Sequence, residues 1–357
     1  MTSATANLAT ETFVNDSEPR DHFDASGESV DDVARIKAIT VAIKDADRRM
    51  RERFKFLKYQ DAIGLGWLIG LTTLCVISSG LFVYGLIPWW LCLIVNAIAL
   101  SMVRELEHDL VHNLYFKDRK SIQNAMMAVV WPLLGNLPHP WFRREMHLLH
   151  HRTSGHDEDF EERLIGNGMK FGPLKILAMI EPGLALLFRK KEMQQIPFYD
   201  GRKLTRAVFP VVFVYHTILA LFVLGNLAWW IVSAAGVELA TGGTWSTILS
   251  MINTIAVVWL LPNMLRQTSV QILSSWMHYH GDVESRLEET QVLNAWYFFP
   301  LNLFAANFGS THSIHHFFVA QPFYLRQMVA RDAHAAFQKY GIRYNDAASL
   351  LRGNRLN

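Results

Sequence analysis

This chain of 357 residues has very little cysteine, and two long stretches of it contain no basic residue. Its two cysteines, Cys75 and Cys92, both fall in apolar sequence, which argues against a disulfide framework and against a cysteine metal site. No lysine or arginine occurs from Gln60 to Val103 or from Ala207 to Leu265, and hydrophobic residues make up 51% of the chain. Because a membrane span needs about 20 apolar residues, these stretches predict membrane-spanning helices.

The ends of the chain are polar, and its charges nearly balance. A formal net charge of +2 suggests no nucleic-acid partner. Residues 1–30 are acidic and rich in serine, threonine and alanine, so they predict a disordered tail rather than a signal peptide. Residues 31–58 have a helical pattern that ends in a basic run, which predicts an amphipathic helix on the cytoplasmic side of a membrane.

The apolar stretches divide into four predicted spans in two hairpins, namely Ala62–Tyr84, Pro88–Val103, Val208–Ala235 and Trp245–Leu265. The turns within the hairpins contain no lysine or arginine, whereas the other polar regions do, so the positive-inside rule places both termini in the cytoplasm. We therefore expect an all-α, multi-pass membrane protein, in the inner membrane if the source is bacterial. A membrane domain would cover residues 59–325, with a cytoplasmic helical cap, and a helical tail would cover residues 326–357.

Histidine is concentrated in three short motifs. The first is His108-Asp-Leu-Val-His112, and two copies of the spacing H-x-x-H-H follow at residues 147–151 and 312–316. Residues three and four apart share one face of a helix, so each motif can direct its imidazoles at one point. One such motif can arise by chance on a helix surface, but three on one side of the membrane predict a metal site in the cap.

A fourth element, His278-Tyr-His280-Gly281, follows the last predicted span. One histidine from it brings the candidate ligands to nine, together with His108, His112, His147, His150, His151, His312, His315 and His316. Magnesium and calcium prefer oxygen ligands, whereas neutral imidazole suits iron and zinc. Zinc usually takes three or four protein ligands, so nine histidines favour a pair of irons with four or five ligands each.

Carboxylates near these motifs are expected to accept the second ring N–H of the imidazoles and so to fix their orientation. The candidates are Glu105, Glu107, Asp109, Asp157, Glu158, Asp159, Asp282 and Glu284. We favour Asp109 and Asp157.

Together the motifs and the two hairpins, from about Ala62 to Phe323, resemble the integral-membrane di-iron fatty acid desaturases and the related hydroxylases and ketolases. His108-Asp109 is similar to the first motif of acyl-lipid desaturases, and Asp157-Glu-Asp159 to the acidic continuation of their second motif. The resemblance implies His278 as the ninth ligand, with His280 beside it in reserve. Ser274 stands where those desaturases have an asparagine that holds a metal-bound water, which leaves the subfamily open.

The resemblance further implies an O2-dependent oxidoreductase that introduces a double bond into a fatty acyl chain of a membrane lipid or other carrier. Its cofactors would be two iron ions, cycling between Fe2+ and Fe3+, and no catalytic residue is expected beyond the metal centre. A hydroxylase or ketolase of an alkyl, sphingolipid or carotenoid substrate is the alternative on the same site. The sequence has no haem-binding or flavin-type motif, so a separate donor of the ferredoxin, rubredoxin or cytochrome b5 type would supply electrons.

Two other classes of protein also use histidine-bound metal. Metal transporters bind their ions near the middle of the bilayer on broken helices, whereas the predicted spans here are nearly free of metal-binding groups. A zinc hydrolase would use three protein ligands and leave one position open for water.

Overall fold

The computed structural model describes residues 22–23, 29–237 and 243–357, and this part of the chain is almost wholly α-helical. A two-residue strand, His22–Phe23 (β1), pairs antiparallel with Ser29–Val30 (β2). The rest of the predicted disordered tail lies outside the described residues.

Fifteen α-helices follow one another in the described residues. Helices α1 to α5 are Asp32–Arg53, Gln60–Val83, Trp89–Val111, Lys120–Leu134 and Pro140–Thr153. Helices α6 to α10 are Phe160–Leu164, Pro173–Ile180, Pro182–Met193, Gly201–Val208 and Val211–Ala234. Helices α11 to α15 are Thr244–Ile255, Leu261–Met277, Phe299–Leu303, Phe308–Phe317 and Phe323–Lys339. A π-helical turn, Ala256–Leu260, joins α11 to α12, and short 3-10 helices cover Lys55–Lys58 and Trp296–Phe298.

Four of these helical segments are long and apolar enough to cross a membrane, which confirms the predicted all-α class with four spans. They are α2, α3, α10 and the continuous run Thr244–Met277 formed by α11, the π-helical turn and α12. Asn96 of α3 donates from Nδ2 to the carbonyl of Val258 in the π-helical turn, at 2.8 Å. This contact compensates a backbone group that irregular helix geometry would otherwise leave without a partner in an apolar environment.

Two of the spans continue well past the ends that hydropathy predicts. Helix α3 runs beyond Val103 to Val111, and the fourth span runs beyond Leu265 to Met277. At ~1.5 Å per residue, the 34 residues of the fourth span are about 51 Å long, against a hydrocarbon core of ~30 Å. The extra turns project from the membrane and become the framework of the cap.

Buried ion pairs allow α3 to stay helical through its charged end. Arg326 of α15 donates to Glu105 at 2.9 Å and to Asp109 at 3.2 Å, and Arg143 of α5 donates to Glu107. All of these side chains are buried. Because an unpaired buried charge is strongly destabilising, these pairs fix α5 and α15 against the end of α3.

The N-terminal and C-terminal parts of the described chain pack together in the cap. Helix α1 covers most of the predicted amphipathic helix, and Ile39 and Ile43 on its buried face join Ala333 and Phe337 of α15 in one apolar cluster. The predicted boundary between residues 325 and 326 falls inside α15. The last residues fold back onto the cap, where the backbone N–H of Leu356 donates to Asp282 at 2.8 Å. The C-terminal segment is thus part of the cap.

Gly64 on α2 gives a direct test of how the first hairpin packs on the cap. A Cβ at this position would lie 2.5 Å from the ring of Tyr115, whereas a Cβ at Gly66 would meet nothing within 4 Å. Tyr115 is buried and its hydroxyl donates to Asp109 at 2.9 Å, so the ring cannot move aside freely. We expect Gly64→Ala to destabilise the protein by about 1–3 kcal/mol through overpacking, and Gly66→Ala to leave it as stable or slightly more so. Thermal unfolding midpoints in detergent measure both; equal midpoints would contradict the packing described.

Candidate metal centre

Four structural elements bring the nine predicted histidines together. The end of α3 carries His108 and His112, helix α5 carries the three histidines of residues 147–151, and α14 carries those of residues 312–316. His278 lies directly after the last residue of α12. Each motif is helical, as its spacing predicts, so the imidazoles of one motif project toward the same region.

The imidazoles form two groups. The first consists of His108, His112, His147 and His315, and the second of His150, His278, His312 and His316; within each group the ring nitrogens lie within 4.8 Å of one another. His151 adjoins the first group, with its Nε2 2.9 Å from Nε2 of His315. All nine predicted ligands are therefore found in one place, distributed as five and four.

Hydrogen bonds on the outer side of the rings fix their orientation. The Nδ1 atoms of His147, His150 and His316 lie 2.7, 2.7 and 2.8 Å from carboxylate oxygens of Glu161, Asp159 and Glu289. The Nδ1 of His278 lies 2.8 Å from the carbonyl oxygen of Ser274. Since these acceptors hold the proton on Nδ1, a neutral ring turns an Nε2 lone pair toward the centre of its group.

The inward lone pairs are compatible with a bound cation. Nε2 of His278 and Nε2 of His316 face each other at 3.3 Å, although both rings have an acceptor at Nδ1. Burial holds the pKa of both histidines well below the usual range, so both rings are neutral. Nε2 of His112 is buried without a hydrogen-bond partner among the described residues. Two facing lone pairs repel each other unless a positive ion lies between them, so these donors fit a bound metal.

Comparison with known families agrees with this geometry. The family model for "Fatty acid desaturase" matches residues 84–348, which is well over half of the chain and includes all nine histidines. The chain belongs to the fatty acid desaturase family. It is accordingly a membrane oxidoreductase of the desaturase type. A search among individually curated proteins gave no match.

The carboxylates that contact the histidines of this family member differ from the favoured pair. Asp109 accepts from the Tyr115 hydroxyl, from the backbone N–H of Phe323 at 2.9 Å and from Arg326, and in the described structure it bonds to no imidazole. Asp109 does not contact an imidazole because a buried carboxylate next to a buried guanidinium forms an ion pair with it. Asp157 is mostly exposed and lies 3.2 Å from Nε2 of His280, which is outside both groups.

The remaining acidic candidates also have definite positions. Of these, Asp159 contacts His150 of the second group. Glu105 and Glu107 pair with arginines, and Asp282 binds the C-terminal backbone. Ser274 acts through its carbonyl oxygen, while its hydroxyl oxygen lies 3.4 Å from Nδ1 of His278.

Glu161 and Glu289 were not among the predicted residues. Glu161 lies on α6, and Glu289 lies in the loop between α12 and α13, 27 positions from His316 in sequence. No helical spacing links either acid to the histidine that it contacts. The one available signal for Glu161 is its place two residues after the acidic run that ends at Asp159.

His150 has an unusual charge balance. Burial lowers its pKa, but the Asp159 carboxylate and its hydrogen bond raise the pKa more strongly, to about 10. A metal ion that binds Nε2 of His150 must therefore displace a proton.

Asp159 and Asp157 form a matched pair for testing the orienting carboxylates. Asparagine at position 159 retains the helix-capping acceptor at the start of α6 but removes the charge beside His150. We expect Asp159→Asn to weaken metal retention about 10–100-fold, as loss of such an outer carboxylate typically does. Asp157→Asn should leave retention unchanged, because Asp157 is exposed and contacts neither group. Bound metal per chain is measured by mass spectrometry after dialysis against chelator; equal retention by the two variants would show that Asp159 has no such role.

Proposed function

We propose that the protein is an O2-dependent di-iron desaturase that introduces a double bond into a fatty acyl chain. The observation that carries the proposal is the arrangement of nine buried or half-buried imidazoles in two adjoining groups with their donors turned inward. Family membership supports oxidoreductase chemistry on a lipid.

The ligand sets follow from the two groups. We assign His108, His112, His147, His151 and His315 to one iron, and His150, His278, His312 and His316 to the other. Two sets of four and five nitrogen donors exceed what one zinc ion takes. The absence of oxygen ligands from both groups, as far as the structure describes them, disfavours magnesium and calcium.

Two irons bound in these groups would supply the activation of O2, with two electrons and two protons, for removal of two hydrogen atoms from neighbouring methylenes and release of two waters. The protein's own residues hold the ring nitrogens in place and keep bulk water out. His278, His312, His315 and His316 are buried, and only His112 and His151 of the nine are half-buried. Because an uncontrolled oxidant would react with water or nearby side chains, exclusion of solvent is part of the catalytic task.

We place the metal centre and both termini on the cytoplasmic side of the membrane. The turns within the two hairpins, at residues 84–88 and 236–244, contain no lysine or arginine, whereas basic residues are frequent on the side of the cap. This distribution supports the assignment through the positive-inside rule. A soluble or membrane-bound donor of the ferredoxin, rubredoxin or cytochrome b5 type would then reach the centre from the cytoplasm.

Lipid mass spectrometry of cells that express the protein tests the proposed reaction. We expect an acyl product two mass units lighter than its precursor; a product 16 units heavier would instead indicate the hydroxylase alternative. His150→Ala should abolish the product because it removes a nitrogen ligand from the second histidine group.

His156→Ala is the matched control, since His156 is an exposed histidine of the same segment and belongs to neither group. It should retain the product. Wild-type product formation by His150→Ala, at equal protein level, would contradict the assignment of His150 as a ligand.

A further inference from the structure

The last turn of the chain reaches into the interior beside the second histidine group. Asn354 is fully buried, although it is the fourth residue from the C-terminus and lies beyond residues 84–348, which match the family. Its Oδ1 accepts from Nζ of Lys175 on α7, and its Nδ2 donates to the carbonyl of Ser275 on α12. Its own carbonyl accepts from the backbone N–H of His280 at 2.8 Å. The side chain of Asn354 therefore joins α7 to α12, and its backbone carbonyl binds the loop that carries His278.

A chain of side-chain hydrogen bonds continues from there to the histidines. The Ser275 hydroxyl donates to Oδ1 of Asn167 at 2.6 Å, and Nδ2 of Asn167 donates to Oε2 of Glu162. The other oxygen of Glu162 lies 3.3 Å from Nδ1 of His278. Lys175, Asn354, Ser275, Asn167 and Glu162 are all buried, and none is more than 2% exposed.

Such a chain is costly to bury unless each member has partners. Glu162 has no directly bonded lysine or arginine among the described residues, and the basic side chains that act on it electrostatically are His150 and, more weakly, Lys175. A buried network of this kind is rigid when every member is satisfied, and it loosens when one member is lost. Removal of Asn354 would leave Lys175 without its partner and free the Ser275 carbonyl.

We propose that Asn354 is a positioning residue for the second histidine group, and that the C-terminal turn of the chain is thereby a component of the metal centre. The inference rests on the proposed di-iron function. Asn354 does not touch a metal ligand; it acts through Ser275, Asn167 and Glu162, which together set the place of the His278 ring.

Anaerobic titration of metal-free, full-length protein with Fe2+ tests the proposal. Asn354 has a φ of 68°, so Asn354→Gly removes the amide without straining the left-handed backbone. Asn357→Gly is the control, because Asn357 is exposed in the same segment and lies outside the chain of bonds. We expect Asn354→Gly to raise the dissociation constant of one of the two irons about 10–100-fold, and Asn357→Gly to bind both irons as the wild type does.

Mössbauer spectra of the loaded proteins separate positioning from general loosening. In Asn354→Gly the spectrum of one iron should change and that of the other should not. Ser275→Ala, which removes only the hydroxyl that bonds Asn167, should have the same effect and decides the question if Asn354→Gly aggregates. Unchanged binding in these variants, or equal weakening in Asn357→Gly, would overturn the proposal. A wild type that binds fewer than two irons would instead refute the di-iron function itself.

Discussion

Facing, buried, neutral imidazoles are the constraint on which the structure depends. Nε2 atoms approach one another at 2.8 to 3.3 Å between His108 and His147, His151 and His315, His278 and His316, and His312 and His316. Between His278 and His316, whose Nδ1 atoms both have an acceptor, two Nε2 lone pairs face each other, which is unfavourable in a buried site unless a cation binds between them. The surrounding protein supplies the rigidity to hold this arrangement and places an acceptor at Nδ1 of four of the rings, those of His147, His150, His278 and His316.

The rigidity comes from helices that continue out of the membrane. His108 lies in the last turn of α3, and His112 and His278 directly follow α3 and the fourth span. The spans therefore hold these side chains in fixed positions. The other two motifs lie on α5 and α14 of the cap. Arg143 binds α5 to α3 through Glu107, and Arg326 of α15, the helix that follows α14, binds to Glu105 of α3. Since sites built on helices are held more tightly than sites on loops, the fold suits a centre in which small displacements matter.

Much of this could be predicted from sequence, because periodicity and composition report on local structure. The long stretches without basic residues predicted four spans, and the spacing H-x-x-H-H predicted three imidazoles on one face of α5 and of α14. Span ends could not be predicted, because hydropathy takes charged residues such as Arg104 and Glu107 as signs of solvent, whereas here they pair inside the protein. The orienting acids Glu161 and Glu289 and the C-terminal Asn354 depend on tertiary contacts, for which no spacing rule exists.

The central claim is that two irons lie among these nine histidines. Anomalous X-ray scattering at the iron absorption edge, from crystals of protein purified after expression with ample iron, tests it most directly. We expect two iron peaks, one inside the group of His108, His112, His147 and His315 and one inside the group of His150, His278, His312 and His316. A single peak, or peaks that appear at the zinc edge and not at the iron edge, would contradict it.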